Sequence, residues 1–335
     1  MRLLITASFH EEGLEILQHH ASVIHEDWRR TSRVYWGDEL LTKLKENQAD
    51  AIIVEADAVT EEVFAGTSLQ FVGCARDAPK EIDVDAATVR GIPVFYAPGR
   101  NADSVADLTI LLILAQARKL IQTDRLLKSG KVQIDSAEQF TKLHDLLKGR
   151  ELGRSTVGII GLGQIGSRVA KRLQGFGSRI LFYDPYISEK QGKKIKTEKV
   201  ELETLMRESD FVTLHTRASP ETFRMIGKEQ LSWMKPSAFL INTARSAIID
   251  EDALFVALKE GHIAGAGLDV HSREPVDSTN RFLTLDNVTV TPHIGGNTSD
   301  VIYRQSMILA TDIDRFLKGE TPKYLANPEV LNSSR

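Results

Sequence analysis

The chain is poor in cysteine, with a single residue, Cys74, among 335. One cysteine excludes an internal disulfide framework and suggests a reducing compartment. Long apolar runs are missing as well. The longest, Leu108 to Ala117, covers about half a membrane span and is interrupted by Thr109 and Gln116. The opening stretch, Met1 to Ala7, is too short for a signal peptide. There is no surplus of positive charge: the net charge is −4, so no bulk attraction to nucleic acid or to a membrane surface is expected. The sequence contains no repeats and no low-complexity tract, and no metal site is expected. These absences predict a soluble cytoplasmic protein.

What remains is ordinary in bulk: 42% apolar and 26% charged residues, at a length that suggests about two domains. Buried-strand runs alternate with helical patterns, which argues for α/β layering around parallel sheets. Strands are expected at Arg2–Ala7, Ala51–Val54, Leu69–Gly73 and Ile92–Phe95. The Pro98–Gly99 pair is a turn signal and a plausible domain junction. A long helix follows from Asp103 to Lys128, capped by Asp103 or Ser104. It is apolar nearly all round and so expected to be buried in a core or shared between domains or subunits. A polar segment, Lys131 to Leu152, leads into a compact βα array. The last helix is expected from Val301 to Leu317.

The strongest local signal is Val157 to Gly166, a strand followed by G-x-G-x-x-G and a helix. Gly161 permits a tight turn, Gly163 lets backbone approach a pyrophosphate, and Gly166 lets helix and strand pack closely. The helix start offers free N–H groups and a positive dipole end to phosphate. The next strand, Arg179–Tyr183, ends at Asp184, about 20 residues past the last glycine, where an acid bonds ribose hydroxyls and repels a 2′-phosphate. NAD(H) is therefore expected rather than NADP. Arg179, Lys190, Lys193 and Lys194 lie nearby and read as solvated surface charge.

Three polar segments close apolar runs farther on. Arg245 follows Ala238–Ile241, Glu274 follows Ala264–Val270, and His293 follows Val288–Val290. In an open parallel sheet ligands bind beyond the carboxyl ends of the strands. Reducing a 2-oxo acid requires an anchor for the carboxylate, polarisation of the carbonyl and a proton for the developing alkoxide. Arginine suits the first two roles through its permanently charged fork. Histidine suits the third, and a carboxylate on its far nitrogen holds the tautomer.

With these residues the chain resembles the D-isomer-specific 2-hydroxyacid dehydrogenases. The likeness runs from the first strand to Phe316–Pro322 and Asn327–Leu331, most specifically over Gly161–Gly166, Leu240–Asp250, Gly267–Pro275 and Thr291–Gly296. The resemblance implies two Rossmann-like doubly wound domains. One is a flavodoxin-like substrate domain, 1–101 plus 302–335; the other is an inserted NAD-binding Rossmann domain, 102–301. It implies interconversion of a D-2-hydroxy acid and its 2-oxo acid by hydride transfer at C2. It assigns Arg245 to substrate binding, Glu274 to supporting the histidine and His293 to acid/base work. Cofactor contacts are implied at Gly161, Gly163, Gln164, Ile165, Gly166, Asp184, Thr216, Thr243, Ala244, Arg245, Asp269, His293, Gly295 and Gly296. A homodimer built through 103–150 is implied too.

The sequence also departs from the family pattern. The usual glycine-rich carboxylate loop reads here Gly73-Cys74-Ala75-Arg76-Asp77-Ala78-Pro79-Lys80-Glu81-Ile82-Asp83. The N–H groups of Asp77 and Ala78 are the expected carboxylate donors. Arg76 replaces a glycine and is expected to reach a second anionic or hydroxyl-rich group on the substrate; its alternative is an outward surface arginine. Glu55 and Asp57 on the neighbouring turn argue against a phosphorylated substrate, whereas Arg76 and Arg100 argue for one. Asp107 replaces a usual glutamate, and Arg217 stands where proline is common. Glu274 argues against formate, since formate dehydrogenases carry glutamine there. Two other readings stand as alternatives: an NAD(H)-sensing, corepressor-like binding protein, and phosphite oxidation with the same trio.

Overall fold

The structure is a computed structural model that describes residues 1–130, 132 and 134–331. Lys131 and Gln133 of the expected polar and dimer-forming segment, and 332–335 of the expected substrate domain, lie outside the described residues. The chain divides into two units. The first is Met1–Asn101 with the chain from Thr298 onward, and the second is Ala102–Asn297. The return to the first unit comes at Thr298, ahead of the expected 302. Thr298 is the N-cap of the helix Ser299–Leu317, which packs on the helix Glu11–Gln18 of the first unit.

The first unit is built on five parallel strands: β1 (Arg2–Ile5), β2 (Ser22–His25), β3 (Ala51–Val54), β4 (Val72–Cys74) and β5 (Val94–Tyr96). Their order, β2-β1-β3-β4-β5, is that of flavodoxin-like sheets. β3 is buried along its whole length, as expected for a central strand covered on both faces. β5 begins at Val94 rather than at Ile92 because Pro93 has no N–H for the ladder.

The second unit holds seven parallel strands: β6 (Thr156–Ile160), β7 (Arg179–Tyr183), β8 (Glu198–Lys199), β9 (Phe211–Leu214), β10 (Phe239–Asn242), β11 (Gly265–Leu268) and β12 (Val288–Val290). Their order, β12-β11-β10-β9-β6-β7-β8, is a Rossmann sheet extended by one strand. The chain order reverses between β6 and β9, and the glycine loop leaves β6 at that switch point.

The expected long helix is two helices, Ala102–Ala117 and Leu120–Lys128. The break has a tertiary cause. The Arg150 N–H takes the Ala117 carbonyl, and Lys119 adopts a left-handed conformation, φ 50°. The helix begins at Ala102, ahead of both expected caps; Asp103 instead pairs with Arg168 and Arg172. It is a core helix of its own unit. Leu112 packs where a Cβ on Gly267 of β11 would sit, and the buried Gln116 donates to the Ala266 carbonyl at 2.6 Å. The polar segment carries a helix, Ala137–Leu146, started by the Ser136 hydroxyl accepting from the Gln139 N–H. Among the described residues no helix is long and apolar enough to cross a membrane, and no acid, histidine or cysteine cluster could hold a metal.

Candidate active site

The glycine loop joins β6 to the helix Gln164–Gln174. Gly161 sits at φ +92°, and a Cβ there would press on the His215–Thr216 backbone at 2.8 Å. A Cβ on Gly166 would run into the Gly161 carbonyl. Both positions therefore require glycine. Gly163 differs, because a Cβ there would meet nothing within 4 Å. That open space lies at the helix N-cap, where no side chain caps the first-turn N–H groups. The cradle fits a pyrophosphate: unpaired donors, a positive dipole end and backbone that can be approached closely.

Asp184 is fixed beside it. One carboxylate oxygen accepts from the Leu162 N–H at 2.8 Å, and the other from Tyr186 and Ile187 at 2.8 and 3.2 Å. Arg179 is held by Glu198 and Glu208, and Lys193 by Glu189, so neither is a free phosphate ligand.

The trio stands at the carboxyl ends of three adjacent strands, β10, β11 and β12, which run parallel at a spacing of about 4.8 Å. His293 Nδ1 lies 2.7 Å from Glu274 Oε2. Glu274 Oε1 accepts from the His271 N–H at 3.0 Å. Burial works against the Glu274 charge, yet the His293 and His271 bonds outweigh it and hold this carboxyl below the usual carboxylate range. With Nδ1–H donated to Glu274, the Nε2 edge of His293 is left for another molecule. Arg245 is exposed, and its Nη1 donates to the Ala244 carbonyl at 2.6 Å. Among the described residues no carboxylate lies within ion-pair distance of it, so the fork keeps donors for an anion.

Other expected contacts have partners inside the protein. Asp269 is 1% exposed and accepts from Thr291 Oγ1 at 2.7 Å, the Ile294 N–H at 2.8 Å and the Gly295 N–H at 2.9 Å. Thr243 Oγ1 lies 2.9 Å from Thr109 Oγ1 in the core. His215, just after β9, escaped the sequence reading. Its Nε2 is 3.0 Å from Thr213 Oγ1, and among the described residues its Nδ1 has no partner and essentially no solvent contact, although the residue as a whole keeps some exposure. Burial pushes its imidazole down to about 3. His271 was also missed, because a single buried histidine carries no spacing signal.

In the first unit Arg76 is not simply outward. Its Nε donates to the Glu55 carbonyl and Nη1 lies 4.0 Å from Glu81. The N–H groups of Asp77 and Ala78 make no internal hydrogen bond among the described residues. Glu55 and Asp57 are both buried. Glu55 faces Arg100 at 3.4 Å and Trp28 Nε1 at 3.2 Å, and Asp57 accepts from the Tyr35 N–H at 2.7 Å. These two carboxylates are thus committed to the interior and give no argument about phosphate on a substrate.

The family profile described as D-isomer specific 2-hydroxyacid dehydrogenase, NAD binding domain, matches residues 110–295, more than half of the chain. The chain belongs to the D-isomer-specific 2-hydroxyacid dehydrogenase family. It is 36% identical to a glyoxylate reductase of Korarchaeum cryptofilum, with 98% of this chain and 97% of that protein aligned. It is 38% identical to a D-3-phosphoglycerate dehydrogenase of Methanocaldococcus jannaschii, over 98% of this chain and 59% of that one. Among solved structures, D-mandelate dehydrogenase from Rhodotorula graminis superposes with a TM-score of 0.80 at 27% identity, covering 97% of each chain.

As a member of this dehydrogenase family the chain is an NAD-dependent oxidoreductase. Its departures from the family pattern now have local settings. Asp107, with its shorter arm, receives Arg172 Nε at 2.6 Å. Arg217 is exposed, and its carbonyl accepts from Thr222 Oγ1 at 2.6 Å.

Proposed function

We propose that this protein interconverts a D-2-hydroxy acid and its 2-oxo acid at C2, with His293 as acid/base. The observation that carries the reading is the 2.7 Å His293–Glu274 pair at a strand end adjacent to the one bearing Arg245, whose fork meets no carboxylate among the described residues. Bound NAD(H) supplies or takes up the hydride. Gly163, Gln164, Ile165 and Gly166 offer N–H groups to its pyrophosphate, while the Gly161 N–H is held by the Tyr183 carbonyl at 2.9 Å. Arg245 binds the substrate carboxylate and polarises the C2 carbonyl through two parallel donors. His293 Nε2 gives the proton to the forming alkoxide in reduction and takes it back in oxidation. Glu274 keeps Nδ1 protonated and stabilises the imidazolium. The Asp77 and Ala78 N–H groups offer a second set of carboxylate donors.

Asp184 supports NADH over NADPH, because a 2′-phosphate would meet a carboxyl group already fixed by three backbone donors. NADH should give the higher kcat/KM, and Asp184→Ala should narrow the gap by raising the NADPH value. A wild-type preference for NADPH would refute this assignment.

Arg76 offers remaining donors to a substrate with a second anionic or hydroxyl-rich group. NADH oxidation against glyoxylate, hydroxypyruvate, phosphohydroxypyruvate and four-carbon sugar-acid analogues tests this. Arg76→Ala should lower kcat/KM for the longer acids and spare glyoxylate. Unchanged values for every active acid would remove Arg76 from recognition, and silence across the panel would favour the NAD(H)-sensing reading or an acid outside the panel.

The segment 103–150 exposes Leu111, Leu120, Leu127, Phe140 and Leu146, an apolar set that a second copy of the chain would cover. A homodimer through this segment is therefore proposed. Sedimentation should give twice the 37.3 kDa chain mass, and a monomer at micromolar concentration would rule it out.

A further inference from the structure

His271 is a buried polar residue that the proposed mechanism does not use. It follows β11 and is 5% exposed. Its main-chain N–H donates to Glu274 Oε1 at 3.0 Å, and its Nε2 lies 2.9 Å from the Thr291 carbonyl. A carbonyl only accepts, so Nε2 carries the proton. Nδ1 lies 3.3 Å from Asn280 Nδ2. The Asn280 oxygen is committed to the Phe282 N–H at 3.0 Å, so the amide presents its nitrogen and His271 Nδ1 accepts. The ring is thereby fixed with its Nε2–H toward Thr291 and its Nδ1 toward Asn280.

The Thr291 carbonyl is shared. It also accepts the His293 N–H at 3.1 Å. His293 itself sits at φ +56°, a left-handed conformation that is unfavourable for a non-glycine residue and persists where surrounding bonds over-determine it. Asp269 holds the far side of this turn through Ile294 and Gly295. His271 holds the near side. One residue therefore touches both members of the pair, Glu274 through its own backbone and His293 through Thr291.

We propose that His271 is a positioning residue for the reaction: its ring N–H fixes the Thr291–His293 turn that aims the His293 imidazole, while its backbone orients Glu274. The inference rests on the reading of His293 as the acid/base. A residue that merely fills the space could be replaced by phenylalanine, of similar volume, without loss. A positioning residue could not, because phenylalanine lacks the donor.

The test uses the full chain with NADH and hydroxypyruvate or glyoxylate, whichever the wild type reduces faster. His271→Phe should lower kcat by about 10- to 100-fold, the scale of a small misplacement of a reacting group, with the KM for NADH unchanged. His271→Gln, whose amide can still donate to Thr291, should recover most of the loss. Should the phenylalanine variant melt far below wild type, His271→Asn, too short to reach Thr291, takes its place with the same expected loss. Wild-type kcat in the phenylalanine or asparagine variant, neither of which can donate to Thr291, would overturn the proposal, as would equal losses in the glutamine variant. Full activity in His293→Ala would instead overturn the acid/base reading. A dead His293→Ala beside a fully active His271→Phe would remove this inference alone.

Discussion

Replacing His293 with alanine should lower kcat by about 10²- to 10⁴-fold, the range for a positioned general acid/base, while NADH affinity stays near wild type. The separation follows from geometry. The imidazole is tied to Glu274 at 2.7 Å and to no residue of the glycine loop, so its removal leaves the pyrophosphate cradle intact. Single-turnover reduction of the active 2-oxo acid measures the first quantity, and titration of NADH fluorescence the second. Equal losses in both would reassign His293 to cofactor binding. Glu274 sets a direction for pH as well. Its carboxyl is held below the usual range, so it stays ionised and able to support an imidazolium at pH values where an ordinary glutamate begins to protonate.

The second large effect is on stability in acid. Burial pushes the His215 imidazole down to about 3, from an ordinary value of 6.5. The unfolded chain takes up a proton below 6.5, and the folded chain does not until near 3. The stability contributed by this group is therefore fully present above pH 6.5 and is lost as pH falls from 6.5 toward 3. Within that window the loss is about 1.4 kcal/mol per pH unit, a tenfold change in the folding equilibrium for each unit. Other carboxylates titrate in the same range, so the informative quantity is the difference between wild type and His215→Asn. Urea unfolding at pH 7.0, 6.0 and 5.0 should show a steeper decline for wild type. Parallel declines would mean that the ring is hydrated in the folded state.

The signals of the glycine loop and the trio are legible in the sequence because they are local. A strand, three glycines at fixed spacing and an acid at the end of the next strand fall within one βα unit and its neighbour. Arg245, Glu274 and His293 each follow an apolar run directly, and parallel strands in one sheet bring such ends to one edge whatever the details of packing. Alternating strand and helix patterns likewise implied layered α/β units, since periodicity is a property of a few consecutive residues.

What the tertiary structure alone decided involves partners distant in the chain. Arg150 ends the helix at Ala117, although nothing near Ala117 in the sequence signals a stop. Glu55 and Asp57, expected to bear on the substrate's charge, are both buried, Glu55 against Arg100 and Trp28. Arg76 turns onto the Glu55 carbonyl. Asp269, expected to meet the cofactor, spends its oxygens on the turn that carries His293, and His271 closes that turn from the other side. The sequence by itself determined which chemistry-bearing residues stand at the strand ends, because residue type and periodicity are written locally. Only the fold decided which polar groups hold them in place, because a buried donor or acceptor must find its partner wherever the packed chain brings one.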